Sequence, residues 1–148
     1  FLAKVGDTLA DHDRLLVGID MRKKKTVVEA AYDDAGGATA RFNLNILARI
    51  NRELAADFDL SAFTHRAVYK EDEGRIEMRL VSKRKQRITI SGLATVIEMA
   101  GGEFIHTESS YKYSPLEIDD LARHARLRLE ARWTDSGGRF SSLLLARP

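Results

Sequence analysis

The chain has 148 residues, of which 44% are hydrophobic and 31% are charged, and its formal net charge is +2. This balance is typical of one globular domain and excludes a disordered chain. An excess of two positive charges does not predict a nucleic-acid partner. The longest apolar runs are far shorter than the roughly 18 residues that a transmembrane helix needs, so we expect no membrane partner.

The chain has no cysteine, which excludes disulfides, thiolate metal ligands and cysteine nucleophiles. This composition favours a reducing, cytoplasmic location. The four histidines lie too far apart in the sequence to predict a metal site, so no metal is expected. Because the chain begins with Phe1 rather than Met and enters a helical pattern at once, we expect it to be part of a longer protein.

The first third of the chain has helical spacing interrupted by one strand. Apolar residues three and four positions apart predict a short helix that ends near residues 11–13. The apolar run over residues 15–19, followed by Asp20, predicts a strand buried on both faces of a parallel sheet, with Asp20 at its ligand-binding end. Further helices are predicted over residues 26–34 and from about residue 39 to 57, on either side of an AGG turn.

From Phe63 the pattern changes to alternation. Residues 67–69 and 75–81 predict a hairpin around KEDEG, and further strands are predicted over residues 87–90 and 105–114, with Gly-Gly between them.

The last part of the chain opens with a helix-start signal. Ser114, Pro115 and Glu117 have the spacing of a capping box, which predicts a helix that runs to about residue 126. LRLEARW and RFSSLLLA flank DSGG and predict a closing hairpin.

Two basic runs, RKKK and KRKQR, have the charge to contact phosphates. The first lies at a predicted helix start and the second at a predicted hairpin turn, and the acidic residues elsewhere favour solvated faces, so no nucleic-acid partner is predicted. The chain contains neither a G-x-G-x-x-G nor a G-x-x-x-x-G-K-[ST] phosphate loop. No nucleophile elbow frames a serine, which argues against a hydrolase triad.

The stretch IHTESSYKYS carries the main candidate for a binding strand. Alternation places Glu108 and Ser110 on one face and Ser109 on the other. A carboxylate that points inward needs hydrogen-bond donors, because burying it unpaired costs several kcal/mol. From spacing alone, a structural ion pair with an arginine is the favoured interpretation of Glu108. Tyr32 is an ordinary core or surface residue, and Met78 is a core residue of the hairpin.

Four separated segments of the sequence resemble the same protein family. AAYDDAGGATARFNLNILARINRELAADFDLSAF, GRIEMRL, GGEFIHTESSYKYS and WTDSGGRFSSLLL resemble, in order and spacing, the C-terminal half of the histidine-specific, S-adenosylmethionine-dependent methyltransferases of ergothioneine biosynthesis. The resemblance covers nearly the whole chain. It implies an α/β fold, namely the C-terminal half of a Rossmann-like core with an inserted α+β substrate-recognition subdomain. The core would comprise residues 1–23 and 103–148, with strands 5, 7 and 6 of the family's sheet, and the subdomain residues 24–102.

The same resemblance implies roles for individual residues. Tyr32 would hold the α-carboxylate of L-histidine, Glu108 would accept a hydrogen bond from an imidazole N–H, and Ser110 would bind the other ring nitrogen. Met78 would pack beside the ring. Ser109 belongs to the same implied binding strand, and Asn43 and Asn45, in FNLN, would support the pocket.

The resemblance further implies S-adenosylmethionine as co-substrate, although the residues that would hold it precede Phe1, so we expect the 148 residues alone to be inactive. Two alternatives stay open. One is a methyltransferase for another amino acid, such as a tryptophan derivative. The other is a non-catalytic amino-acid-binding or interaction domain.

Overall fold

A computed structural model describes all residues from 1 to 148. The chain divides into two compact units, a terminal unit made of Phe1–Lys23 with Tyr111–Pro148, and a central unit made of Lys24–Ser110. No helix is long and apolar enough to cross a membrane. The elements in chain order are α1 (Leu2–Gly6), β1 (Leu15–Asp20), α2 (Lys25–Tyr32), α3 (Ala38–Leu54), β2 (Phe63–Lys70), β3 (Arg75–Ser82), β4 (Gln86–Ile90), β5 (Thr95–Met99), β6 (Phe104–Tyr111), α4 (Pro115–His124), β7 (Arg128–Thr134) and β8 (Phe140–Ala146).

The terminal unit contains a three-stranded antiparallel sheet in the order β1-β8-β7. The predicted strand over residues 15–20 is confirmed, but its expected burial on both faces in a parallel sheet is wrong for this chain. Burial alternates along β1, and Leu16 is 67% exposed. A continuous apolar run does not by itself reveal how many faces are covered. One face of this sheet belongs to an apolar core that includes Ile19, Ile118, Leu143 and Leu145.

Local signals in the terminal unit are confirmed where they carry a hydrogen-bonding mechanism. The Ser114 hydroxyl accepts from the Glu117 amide, and the Glu117 carboxylate accepts from the Ser114 amide, so the capping box is complete. The Asp135 carboxylate accepts from the backbone amides of Gly137, Arg139 and Phe140 and closes the predicted β7/β8 turn. The first predicted helix is too long, because α1 ends at Gly6.

The central unit combines α2 and α3 with two antiparallel pieces of sheet. Strands β2, β3 and β6 form one sheet in the order β2-β3-β6, while β4 and β5 form a separate two-stranded sheet. The β2/β3 hairpin is confirmed and is longer than predicted. The KRKQR segment was predicted as a hairpin turn; instead it joins β3 to β4, two strands that do not pair.

Strand β5 is absent from the sequence prediction. Its partner is β4, with Ile88 opposite Ile97, and Val96 remains 46% exposed. Only a short part of this strand faces the core, so its alternation is too brief to recognise. The predicted binding strand is also shorter than expected, because β6 ends at Tyr111. Helix α3 ends at Leu54, where Ala55 adopts a left-handed conformation.

Candidate amino-acid-binding groove

A groove lies in the central unit between α3 and the β3 and β6 strands. The α3 side comes from positions spaced three and four residues apart, which share one helix face. The strand side contributes Met78, which is 4% exposed. The Thr107 hydroxyl donates to the Met78 carbonyl at 2.9 Å and joins the two strands there. The lining residues are Phe42, Asn43, Asn45, Ile46, Arg49, Met78, Thr107 and Glu108. Four of the predicted site residues, Asn43, Asn45, Met78 and Glu108, therefore line one groove.

Glu108 has a carboxylate that no residue of the chain neutralises. It forms no ion pair or hydrogen bond in the structure, so the structural ion pair favoured from its spacing is wrong. The arginine of the groove lining, Arg49, instead bonds Glu53 at 3.0 Å. The Glu108 side chain is exposed rather than buried in the interior of the unit. Its carboxylate is thus available to accept hydrogen bonds from a ligand.

Glu77 shows the opposite situation one strand away. This side chain is 9% exposed and lies between two guanidinium groups, with Arg79 at 2.5 Å and Arg75 at 2.9 Å. Hydrogen bonds from Arg79, and then from Arg75, outweigh the effect of burial and lower the pKa of Glu77 to about 2. Arg79 also stacks on the Phe104 ring at 4.2 Å. Both Glu77 oxygens are fully engaged, so Glu108 is the carboxylate of this region that a ligand can use.

Tyr32 and Ser110 lie together but outside the residues that line the groove. Tyr32 is the last residue of α2, and its hydroxyl donates to the Ser110 hydroxyl oxygen at 2.9 Å. Ser109 contacts His106 instead, with 3.0 Å between the hydroxyl oxygen and Nε2. The three consecutive residues Glu108, Ser109 and Ser110 therefore have three different surroundings.

A buried histidine connects two of the predicted residues, and sequence reasoning missed it. His65, on β2, is 9% exposed. Its Nδ1 lies 2.9 Å from the Asn43 amide nitrogen, and its Nε2 lies 2.8 Å from the Tyr32 carbonyl oxygen. Alternation in the FTHRAVY stretch, which places His65 on the face shared by Phe63 and Ala67, is the signal that could have identified it as buried.

A second groove lies in the terminal unit and is mainly apolar. Beside it, Asp20 ends β1 and binds the ammonium groups of Lys112, at 2.8 Å, and Lys23. Burial alone would raise the pKa of Asp20, but the hydrogen bonds from the two lysines lower it overall. No three His, Cys, Asp or Glu side chains are grouped so that they could hold a metal ion. The groove is lined by Phe1, Leu2, Val17, Gly18, Ile19, Tyr113 and Leu121.

Comparison with known proteins gives a consistent family. The family described as histidine-specific methyltransferase, SAM-dependent, matches residues 1–147. A protein of Mycolicibacterium smegmatis named histidine N-alpha-methyltransferase is 44% identical over 99% of this chain, which corresponds to 46% of that protein.

Two more distant relatives carry other names. Ergothioneine biosynthesis protein 1 of Schizosaccharomyces pombe is 27% identical over 99% of this chain and 19% of its own length. L-tryptophan methyltransferase trpM of Psilocybe serbica is 29% identical over 90% of this chain and 37% of its own length. The chain therefore spans less than half the length of each of these relatives.

Proposed function

Because this chain belongs to the family of histidine-specific, SAM-dependent methyltransferases, we propose that it forms the amino-acid-recognition part of an enzyme that methylates the α-amine of L-histidine. The observation that carries the proposal is the unpaired Glu108 carboxylate, which lines a groove together with Met78. An enzyme that reads a ring N–H needs an acceptor that its own chain leaves unsatisfied. The name of the Mycolicibacterium relative supports the choice of histidine, whereas the name of the Psilocybe relative supports the alternative of a tryptophan substrate.

In this proposal the imidazole ring of histidine lies beside Met78 and donates one N–H to Glu108. Ser110 donates to the other ring nitrogen, and the Tyr32 hydroxyl donates to the substrate α-carboxylate. The hydrogen bond between the Tyr32 and Ser110 hydroxyl groups supports these two roles, because it holds both groups close together. When histidine binds, each hydroxyl would bond a substrate atom instead of the other hydroxyl. Asn43 and Asn45 support the groove from α3, and Ser109 remains a proposed member of the binding strand.

The chemistry of imidazole explains how such a site would select its substrate. Neutral imidazole offers one donor and one acceptor, so a carboxylate and a hydroxyl can read both nitrogens. An indole has one N–H and no basic ring nitrogen, and an aliphatic side chain would leave Glu108 unpaired. An unsatisfied polar group costs roughly 1–3 kcal/mol, which is about a ten- to hundredfold loss in binding.

The terminal unit is proposed to belong to a Rossmann-like core. Its strand order β1-β8-β7 supports this, because strands 5, 7 and 6 are neighbours in the family's sheet. The region from residue 24 to 102 is proposed as the inserted recognition subdomain, and residues 1–23 and 103–148 as core. Compact packing groups residues 103–110 with the central unit, so the strand that carries Glu108 lies close to this proposed boundary.

S-adenosylmethionine is proposed as the methyl donor, bound mainly outside this chain. The terminal-unit groove does not fit it, because its lining side chains are apolar apart from the Tyr113 hydroxyl and include no carboxylate for a ribose. The donor, when bound, supplies a sulfonium methyl group to the neutral α-amine. The residues described here bind and orient histidine, since methyl transfer depends mainly on positioning. Repeated transfer would give the trimethylated betaine of ergothioneine biosynthesis, which the name of the fission-yeast relative supports. A cytoplasmic location stays a prediction from the lack of cysteine.

The test is calorimetric titration of the whole protein that carries these residues with L-histidine. Glu108→Ala should weaken histidine binding about ten- to hundredfold, because the imidazole N–H loses its charged acceptor. Glu98→Ala is the matched control, since Glu98 is another exposed strand glutamate of the central unit that lies outside the groove. Unchanged affinity of the Glu108 variant would remove this residue from the ring-binding role. Tighter binding of L-tryptophan than of L-histidine by the parent would favour the alternative substrate.

A further inference from the structure

The buried His65 ring has both nitrogens engaged by partners whose chemistry is fixed. A carbonyl oxygen can only accept, so Nε2 carries the proton and donates to the Tyr32 carbonyl at 2.8 Å. An amide nitrogen can only donate, so Nδ1 accepts from Asn43 at 2.9 Å. The same Asn43 nitrogen lies 3.5 Å from the Arg79 carbonyl, which supports this orientation of the amide. The surroundings therefore select one neutral tautomer.

His65 bonds the backbone at the end of a helix. Tyr32 ends α2, and the last carbonyl groups of a helix accept no hydrogen bond from a backbone N–H of that helix. The hydrogen bond from Nε2 satisfies the Tyr32 carbonyl and fixes the end of the helix. From that fixed backbone the Tyr32 side chain reaches Ser110. Through Nδ1 the same ring holds Asn43, which lines the groove.

We propose that His65 is a positioning residue that fixes Tyr32 for the carboxylate of the amino-acid substrate. The inference rests on the proposed function and adds a residue to which that function gave no role. His65 does not itself touch the substrate. Its effect passes through the Tyr32 backbone, so losing the Nε2 hydrogen bond should weaken binding of the carboxylate end of the substrate and leave binding of the imidazole end intact.

Two substitutions separate the two hydrogen bonds of the ring. The amide nitrogen of Gln lies the same number of bonds from Cα as Nε2 of His, so His65→Gln keeps a donor for the Tyr32 carbonyl. The amide group of Asn corresponds to Nδ1, so His65→Asn keeps a partner for Asn43 and removes the Nε2 donor from the Tyr32 carbonyl. Both remove the ring from the same buried place, and a purely structural role would weaken histidine and histamine binding alike in each variant.

The experiment measures KM and kcat for L-histidine in the whole enzyme, together with calorimetric affinities for L-histidine and for histamine, which lacks the carboxylate. We expect His65→Asn to raise the KM for histidine about tenfold, with kcat changed less than about threefold. His65→Gln should stay within about threefold of the parent KM. Histamine affinity should be the same in all three proteins. His12→Gln serves as the control, because its side chain is 88% exposed.

Two results would overturn the inference. One is an equal rise in KM for the Asn and Gln variants, and the other is an equal loss of histidine and histamine affinity in His65→Asn. If His65→Asn does not fold, His65→Met replaces it, because an unbranched apolar side chain fills the space and removes the Nε2 donor. Since Met also removes the acceptor of Asn43, this variant is tested only by comparing its histidine and histamine affinities. A parent enzyme that neither binds nor methylates histidine would instead contradict the proposed function, so the two failures are distinct.

Discussion

The terminal and central units differ in how many polar side chains they bury and in how their apolar residues are grouped. The terminal unit has one apolar core of eight buried residues, and its two buried polar side chains, Lys112 and Ser141, bind Asp20 and Thr134. The central unit buries four polar side chains, Asn43, His65, Glu77 and Ser82, and divides its apolar residues between two clusters.

This difference follows the proposed division of labour. Apolar packing is non-directional and tolerates small shifts, whereas a buried polar group must keep its partners in place. All four buried polar side chains of the central unit lie on α3, β2 or β3. Asn43 lines the groove, His65 bonds Asn43, and Glu77 precedes the groove residue Met78 in the chain. The interior of the central unit thus contains polar side chains whose hydrogen bonds orient the proposed binding residues.

The largest expected effect on stability comes from replacing one buried leucine in each unit with alanine. Leu143 in the terminal unit and Leu80 in the central unit are both at most 1% exposed. Each Leu→Ala substitution should lower the free energy of unfolding by about 2–5 kcal/mol, measured by urea denaturation. Leu80 is two residues from Met78, so Leu80→Ala should also weaken histidine binding, whereas Leu143→Ala should leave the affinity of the folded protein unchanged. Weaker histidine binding by Leu143→Ala, together with unchanged binding by Leu80→Ala, would refute the contrast between the units.

A smaller effect should appear on acidification. Arg79 and Arg75 hold the pKa of Glu77 at about 2, and Arg22 with the Ser114 amide does the same for Glu117 in the terminal unit. Because these folded-state pKa values lie below the unfolded value of 4.5, both ion pairs stabilise the protein above about pH 4.5. That stabilisation is lost as the pH falls from about 4.5 to about 2.

Unfolding measured at several pH values in this window checks the prediction. Glu77→Gln and Glu117→Gln should each be less stable than the parent at neutral pH and lose less further stability on acidification. Glu77 is the more buried of the two, with 9% of its side chain exposed against 40% for Glu117, so its substitution should have the larger effect. Parallel pH profiles of parent and variants would show that neither carboxylate contributes.

The smallest effect concerns two helix ends, one in each unit. Ala55 follows α3 and Arg126 lies just beyond α4, and both have positive φ, at 49° and 55°. Because a Cβ atom is strained in this conformation, Ala55→Gly and Arg126→Gly should each raise stability by about 0.5 kcal/mol in thermal unfolding. Both residues are exposed, so little packing is lost. Destabilisation by either change would mean that the side chain has a role that the structure does not reveal.

Sequence patterns located the parts of the fold whose cause is local. The capping box of α4 and the Asp135 turn were predictable because each is closed by side-chain to backbone hydrogen bonds a few residues apart. Strand β5 was not, because its pairing with β4 leaves Val96 exposed and shows almost no alternation.

The candidate site was predictable only in part. Resemblance named Met78 and Glu108, which the structure brings into one groove. Periodicity placed Glu108 and Ser110 together, yet Ser110 bonds Tyr32 and is not among the groove residues. His65 depends on contacts 22 and 33 residues away along the chain, and no local pattern encodes such distances.

The course of β6 also bears on how the protein can be engineered. Its first seven residues belong to the central unit and its last, Tyr111, to the terminal unit, with buried Lys112 next in the chain. The strand that carries the proposed histidine contacts therefore runs without interruption up to Tyr111. A chimaera that exchanges the recognition region between relatives should therefore keep β6 whole and place its second junction beyond Tyr113, because a cut after Ser110 would divide the strand that carries its specificity.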